Sequence, residues 1–150
     1  MENLVDEPQS GQWRQKFISI AEEIRRSQGV PAETIVDSPE DPLSIEWEID
    51  DIAFDVTHYP GDDESGILLQ CRIGHVPQTE AANIFRQTLK ANQLLARTYA
   101  GMFAVDSETN QLIYSTMDSL ERITNEDLLN AAEAMAQIAK QFQQAHLAHA

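Results

Sequence analysis

The chain of 150 residues has a single cysteine, Cys71, so no disulfide can form within it. That usage, with an acidic opening stretch MENLVDEPQSGQW lacking the basic-then-apolar layout of a secretory signal, leads us to expect a cytoplasmic protein. No apolar run approaches the roughly 18 residues that span a bilayer, so membrane insertion is not expected. Positive charge is scarce: 10 Lys and Arg stand against 25 Asp and Glu, a formal net charge of −15. Such a field repels phosphates and argues against nucleic-acid binding.

Catalytic and cofactor signatures are also missing. The sequence has no glycine-rich phosphate loop, no G-x-S-x-G and no H-E-x-x-H. Its four histidines, His58, His75, His146 and His149, form no Cys/His cluster. Asp106, Glu108 and Asn110 match the first ligand positions of a calcium loop, but its obligatory glycine falls on Gln111 and its closing glutamate on Met117. The segment therefore reads as a hairpin turn. Cys71 lies in an apolar stretch whose one basic neighbour, Arg72, points to the other side of a strand. The expectation is a protein with no catalytic residue, no metal and no cofactor, and hence no enzyme.

Acidic charge, by contrast, is plentiful and uneven. Residues 1–66 carry 17 acids and 4 Lys or Arg, whereas residues 67–150 carry 8 and 6. The first half would attract a basic or amphipathic partner segment, and the same acidity keeps a protein in solution. Hydrophobic residues make up 42% and charged residues 23%, enough for one domain with a modest core.

Hydrophobic spacing sets out the elements. Residues 1–10 read as a tail, residues 11–144 as one domain and residues 145–150 as a second tail. Trp13, Phe17, Ile20, Ala21 and Ile24 recur at helical spacing between Gln12 and Gln28, with Ser10 a candidate cap and Gly29 and Pro31 as the stop. Val30 to Pro42 is an acidic, proline-bearing connector. Alternation then gives strands through Ile45, Trp47 and Ile49, and through Ile52, Phe54 and Val56, joined at Asp50-Asp51. After a loop over residues 60–66, Ile67 to Ile73 is apolar on both faces and reads as a central strand. Thr79 is placed to cap a second helix, Glu80 to about Ala96, whose apolar positions cover more than one stripe and call for two partners.

The stretch Leu89–Met117 organises what remains: the helix end, a break at Tyr99-Ala100-Gly101, a strand Met102–Val105, a turn over residues 106–110, and a return strand through Leu112 and Tyr114. Thr124 and Asp127 form a capping-box pair ahead of a last helix with a seam of Leu128, Ala132, Met135, Ala139 and Phe142. The predicted fold is α+β, in the order α-β-β-β-α-β-β-α, with one mostly antiparallel twisted sheet packed with three helices.

This arrangement resembles class I type III secretion chaperones of the Tir chaperone (CesT) family. The resemblance rests on Leu89-Lys90-Ala91-Asn92 near the end of the second helix, Gly101 in the break, Met102 to Asp106, Leu112 to Ser115, and the helix from Asn125 onward. Ala104 stands where the family often has glycine, and Phe142 where it often has tryptophan. The resemblance implies a homodimeric virulence-associated chaperone that binds the N-terminal region of a secreted effector and keeps it partly unfolded for export. The secretion ATPase is a further candidate partner. On that reading the effector-binding candidates are Trp13, Phe17, Ile24, Ile45, Trp47 and Phe54, and the dimer-interface candidates are Ile84, Thr88, Leu95, Met102 and Tyr114. The same side chains would also suit an ordinary core. The competing reading is a regulatory or scaffold protein-binding domain of the same fold without a secreted client.

Overall fold

The computed structural model describes residues 11–29, 38, 40–60, 65–98 and 101–147. The expected tail at 1–10, with the cap at Ser10, most of the 30–42 connector, the loop centre at 61–64, Tyr99-Ala100 and His149 lie outside the described residues. The element order is α1 (Gln12–Ser27), β1 (Leu43–Ile49), β2 (Ile52–His58), β3 (Gly66–His75), α2 (Ala81–Ala96), β4 (Met102–Val105), β5 (Gln111–Ser119) and α3 (Asn125–Phe142). This is the order read from the sequence. Helical backbone then runs past the expected boundary at residue 144, as a π-helical turn over Gln143–Leu147.

The five strands form one sheet in the order β1-β2-β3-β5-β4, and every pairing is antiparallel. β3 is the middle strand, which explains its apolar composition. Asp50 and Asp51 close the first hairpin with φ of 51° and 66°, the left-handed pair that a tight two-residue turn requires. Asn110 does the same for the second hairpin at φ 58°, while the Asp106 carboxylate accepts from the Glu108 and Thr109 amides. The Glu108 amide is the main reason the Asp106 carboxyl titrates below its ordinary value, with the Arg72 guanidinium and the Thr109 amide adding to the effect.

One sheet face carries the core. Ile45, Trp47, Phe54, Val56, Ile67, Leu69, Cys71, Leu112 and Tyr114 are buried there with Phe17 and Ile24 of α1 and Leu128, Ala132, Met135 and Ala139 of α3. Phe17 is fully buried and stacks on His58 at 5.6 Å, tying α1 to β2. The Lys16 ammonium donates to the Leu120 carbonyl and the Arg14 guanidinium to the Asp41 carbonyl, fixing α1 at both flanks. α3 begins with both bonds of the expected capping box, Thr124 with Asp127.

α2 starts differently from the sequence expectation. Its N-cap is Glu80, with no side-chain cap, because the turn closed by the Glu80 amide on the Pro77 carbonyl already leads the chain into the helix. Between Arg72 and Gly74 the β3–β5 ladder skips Ile73. The Gln143 side-chain amide donates to the Ile73 carbonyl at 2.7 Å, which anchors the turn after α3 at that bulge.

Candidate partner-binding surfaces

A sheet of five strands has two edges, and here they differ. At the β4 edge, Asn92 of α2 reaches the backbone of Phe103: its amide nitrogen donates to the Phe103 carbonyl at 2.9 Å, and its oxygen accepts from the Phe103 N–H at 2.7 Å. One side chain thus occupies the outward N–H and C=O of Phe103, one of the pairs that an added strand would use. At the β1 edge, among the described residues, no element pairs beyond Leu43–Ile49. The two-residue turn fixes which groups are spoken for. Ile49 and Ile52 flank it as a hydrogen-bonded pair, and Trp47/Phe54 and Ile45/Val56 repeat that pairing. Ser44, Glu46 and Glu48 therefore direct their backbone N–H and C=O away from β2.

A second feature is a set of exposed apolar side chains on α2, β4 and β5, where α2 packs on β4. Leu89 is 68% exposed, Leu94 63%, Met102 57% and Met117 76%. A hollow of about 370 Å³ lies beside Met102 and Met117, lined also by Leu68, Ala96, Gly101, Ser115 and Thr116. Gly101 makes the crossing possible: a methyl there would stand 2.2 Å from the Ser115 carbonyl oxygen. Isolated exposed apolar side chains are ordinary, whereas a contiguous exposed apolar patch is a candidate contact surface.

The predicted site residues distribute unevenly over these features. Phe17, Ile24, Ile45, Trp47 and Phe54 face the core and are at most 4% exposed, so they support the sheet rather than line an open groove. Trp13 alone of that set is half-buried, beside the core cluster and with the Lys16 ammonium 6.0 Å from its ring. Of the dimer candidates, Ile84, Thr88 and Tyr114 are buried within the chain and Leu95 is partly buried. Burial raises the Tyr114 hydroxyl above its ordinary pKa. Met102 is the member of that set that is exposed. Leu89, Leu94 and Met117, which the structure leaves exposed, are not among the expected site residues. Their signal lay in the breadth of the α2 apolar pattern: the stripe of Ile84, Thr88 and Leu95 turns inward, which leaves Leu89 and Leu94 outside it.

The sequence profile of the Tir chaperone protein (CesT) family matches residues 50–143, more than half of the chain. The chain belongs to the Tir chaperone (CesT) family. The match runs from the β1–β2 turn to the end of α3, so it spans the Asn92 clamp, Gly101 and the exposed apolar side chains of α2, β4 and β5, while α1 and all of β1 precede it. Solved structures resemble this family member over more of its length. A chain of the ExsC–ExsE complex superposes with a TM-score of 0.66 at 16% identity, covering 87% of this chain and 92% of that one. A chain of the HopA1–SchA chaperone–effector complex gives 0.60 at 9% identity, with 86% and 94% covered. The Yersinia pestis type III secretion chaperone SycH in complex with a YscM2 fragment gives 0.51 at 14%, with 83% and 97% covered. At these identities the likeness is one of fold, and it extends the family architecture to α1 and β1. No curated protein matches by sequence.

Two further observations bear on chemistry. The Cys71 thiol is buried and pushed up to about 12, chiefly by loss of solvation, so it is inert in the native chain. No group of three or more His, Cys, Asp or Glu that could hold a metal ion occurs among the described residues. No helix of the described residues is long and apolar enough to cross a membrane.

Proposed function

We propose that this CesT-family chain is a cytoplasmic type III secretion chaperone. It binds the N-terminal chaperone-binding region of one or more secreted effectors, keeps that region partly unfolded and soluble, and promotes its delivery to the secretion machinery. The observation that carries the reading is the asymmetry of the sheet. Asn92 occupies the outward backbone groups of Phe103 at one edge, while among the described residues nothing pairs with the outward donors and acceptors of β1, which lie beside a well-packed core. A non-globular segment gains main-chain hydrogen bonds on such an edge without folding first. Family membership supports the reading, as does the likeness in fold to chains solved in chaperone–effector complexes. Binding of this kind needs no nucleophile, metal or cofactor.

The chaperone acts as a homodimer, with the margin of Leu89, Leu94, Met102 and Met117 as the contact between copies. Burying one such side chain fully is worth at most about 1.5–3 kcal/mol, so covering these four on each copy would favour association against its entropic cost. A charged Leu89→Glu, Met117→Glu variant should elute and scatter light as a monomer of 16.8 kDa with an unchanged far-UV spectrum. A variant that stays dimeric removes the margin from the interface.

The direct test of function is co-expression with the first hundred or so residues of a secreted protein encoded beside this chain. The two should co-purify, and the segment should precipitate when expressed alone. A segment that is soluble alone and does not co-purify overturns the proposal.

A further inference from the structure

The side chains that flank the open edge of β1 define what kind of strand it accepts. Ser44, Glu46 and Glu48 are exposed on the outer sheet face, opposite the core. Glu46 is the register partner of Asp55, placing two carboxylates directly opposite each other in a close, non-hydrogen-bonded pair. Like charges in that position destabilise a sheet. The Arg72 guanidinium, on the same face, is held by the Asp106 carboxylate at 3.1 Å and by the Gln111 side-chain oxygen at 3.3 Å. A hollow of about 200 Å³ opens between these groups, with Glu46, Glu48, Asp55 and Arg72 among its lining residues. On the inner side of the same strand, Trp47 is 4% exposed and its Nε1–H has no acceptor among the described residues.

We propose that β1 selects extended client segments with Lys or Arg at alternate positions, so that the cations lie on the outer face against Glu46 and Glu48. The intervening side chains then fall on the inner side, next to Ile45 and Trp47, where apolar residues fit. Period two is what couples the pattern to the edge. A strand that offers its backbone to Ser44, Glu46 and Glu48 sends every second side chain to the acidic face. The occupant is not a second copy of this chain, because two β1 edges brought together would oppose Glu46 and Glu48 with the same acids. The inference rests on the client-binding reading above and adds the chemistry of the client.

Three labelled nine-residue peptides test it by fluorescence anisotropy with the full chain: alternating Val and Lys, alternating Val and Glu, and a peptide with the composition of the first but its lysines in one block. The alternating lysine peptide should bind more tightly than either other one. Both acids are exposed, so the Glu46→Gln, Glu48→Gln variant keeps its fold. With it the alternating lysine peptide should bind about two- to thirtyfold more weakly, the range expected for losing two cross-strand charge pairs. Equal affinity of the alternating and blocked lysine peptides overturns the pattern requirement, and an unchanged affinity in the double variant overturns the role of the two acids. Either result leaves strand addition at β1 standing. If none of the three binds, the β1 edge itself is wrong as a client site.

Discussion

Replacing Asn92 with alanine removes both hydrogen bonds that hold the Phe103 backbone at the β4 edge, 2.9 and 2.7 Å long in the native chain. A hydrogen bond contributes about 0.5–1.5 kcal/mol net, so two give about 1–3 kcal/mol. The lower half of that range applies here, because β4 is an edge strand and water reaches part of what the side chain vacates. For a chain of this size each kcal/mol lowers the melting temperature by about 2–4 °C, so a fall of about 2–8 °C is expected. The variant also exposes the Phe103 N–H and C=O on a strand of only four residues, MFAV. It should therefore aggregate faster on heating than the native chain, through edge pairing. Urea unfolding followed by far-UV circular dichroism gives the stability, and light scattering on the same samples gives the association. A denaturation midpoint within error of the native one, with no added scattering, would refute the view that this side chain closes the edge. Asn92→Asp serves as a control, since it retains an acceptor for the Phe103 N–H and loses the donor to the carbonyl. It should lie between the native chain and Asn92→Ala.

Phe17→Ala should cost about 3–5 kcal/mol by urea denaturation, because the ring is fully buried against His58; a cost under 1 kcal/mol would place Phe17 on a surface instead. Cys71 should not react with a thiol reagent at pH 8 in the native chain and should react fully once unfolded, since its pKa of about 12 and its burial both suppress the thiolate. Asp55 titrates above its ordinary value of 3.8, first through burial and then through Glu46 and Asp106, with Arg72 opposing the rise. The folded chain thus binds that proton more tightly than the unfolded one, and the stability contributed by this group falls as pH rises from the ordinary carboxylate value through the raised one. Asp55→Asn should match the native chain below that window and exceed it at neutral pH. A lower midpoint for the variant at pH 7 would reverse the assignment.

Much of the fold was legible because it is written in periods. Ile45, Trp47 and Ile49 alternate, and the α3 seam steps through Leu128, Ala132, Met135 and Ala139. Turn chemistry at Asp50-Asp51 and Asn110 and the Thr124 capping box are local, so sequence suffices to find them. The surfaces were less legible for a physical reason. Periodicity says which side chains share a face; it does not say whether that face meets this chain or another. Ile84 and Thr88 share a face of α2, and that face turns inward, while Leu89 and Leu94 remain outside. Trp47 and Phe54 share a sheet face, and α1 and α3 have already covered it. Asn92 stood as a polar residue within an apolar helix pattern, but its partner is the backbone of Phe103, 11 residues away, and backbone groups leave no trace in composition. The turn Gln143–Leu147 depends on the bulge at Ile73, 70 residues earlier than Gln143, and no local signal announces it.

Amide hydrogen exchange on the chaperone, free and bound to a co-purified effector segment, tests the central claim most directly. Binding of an extended client along β1 predicts slowed exchange at Ser44, Glu46 and Glu48, whose N–H groups point away from β2, with Phe103 unchanged behind its Asn92 clamp. Fast exchange at those three amides in the bound state, or protection confined to α2 and β4, would contradict it.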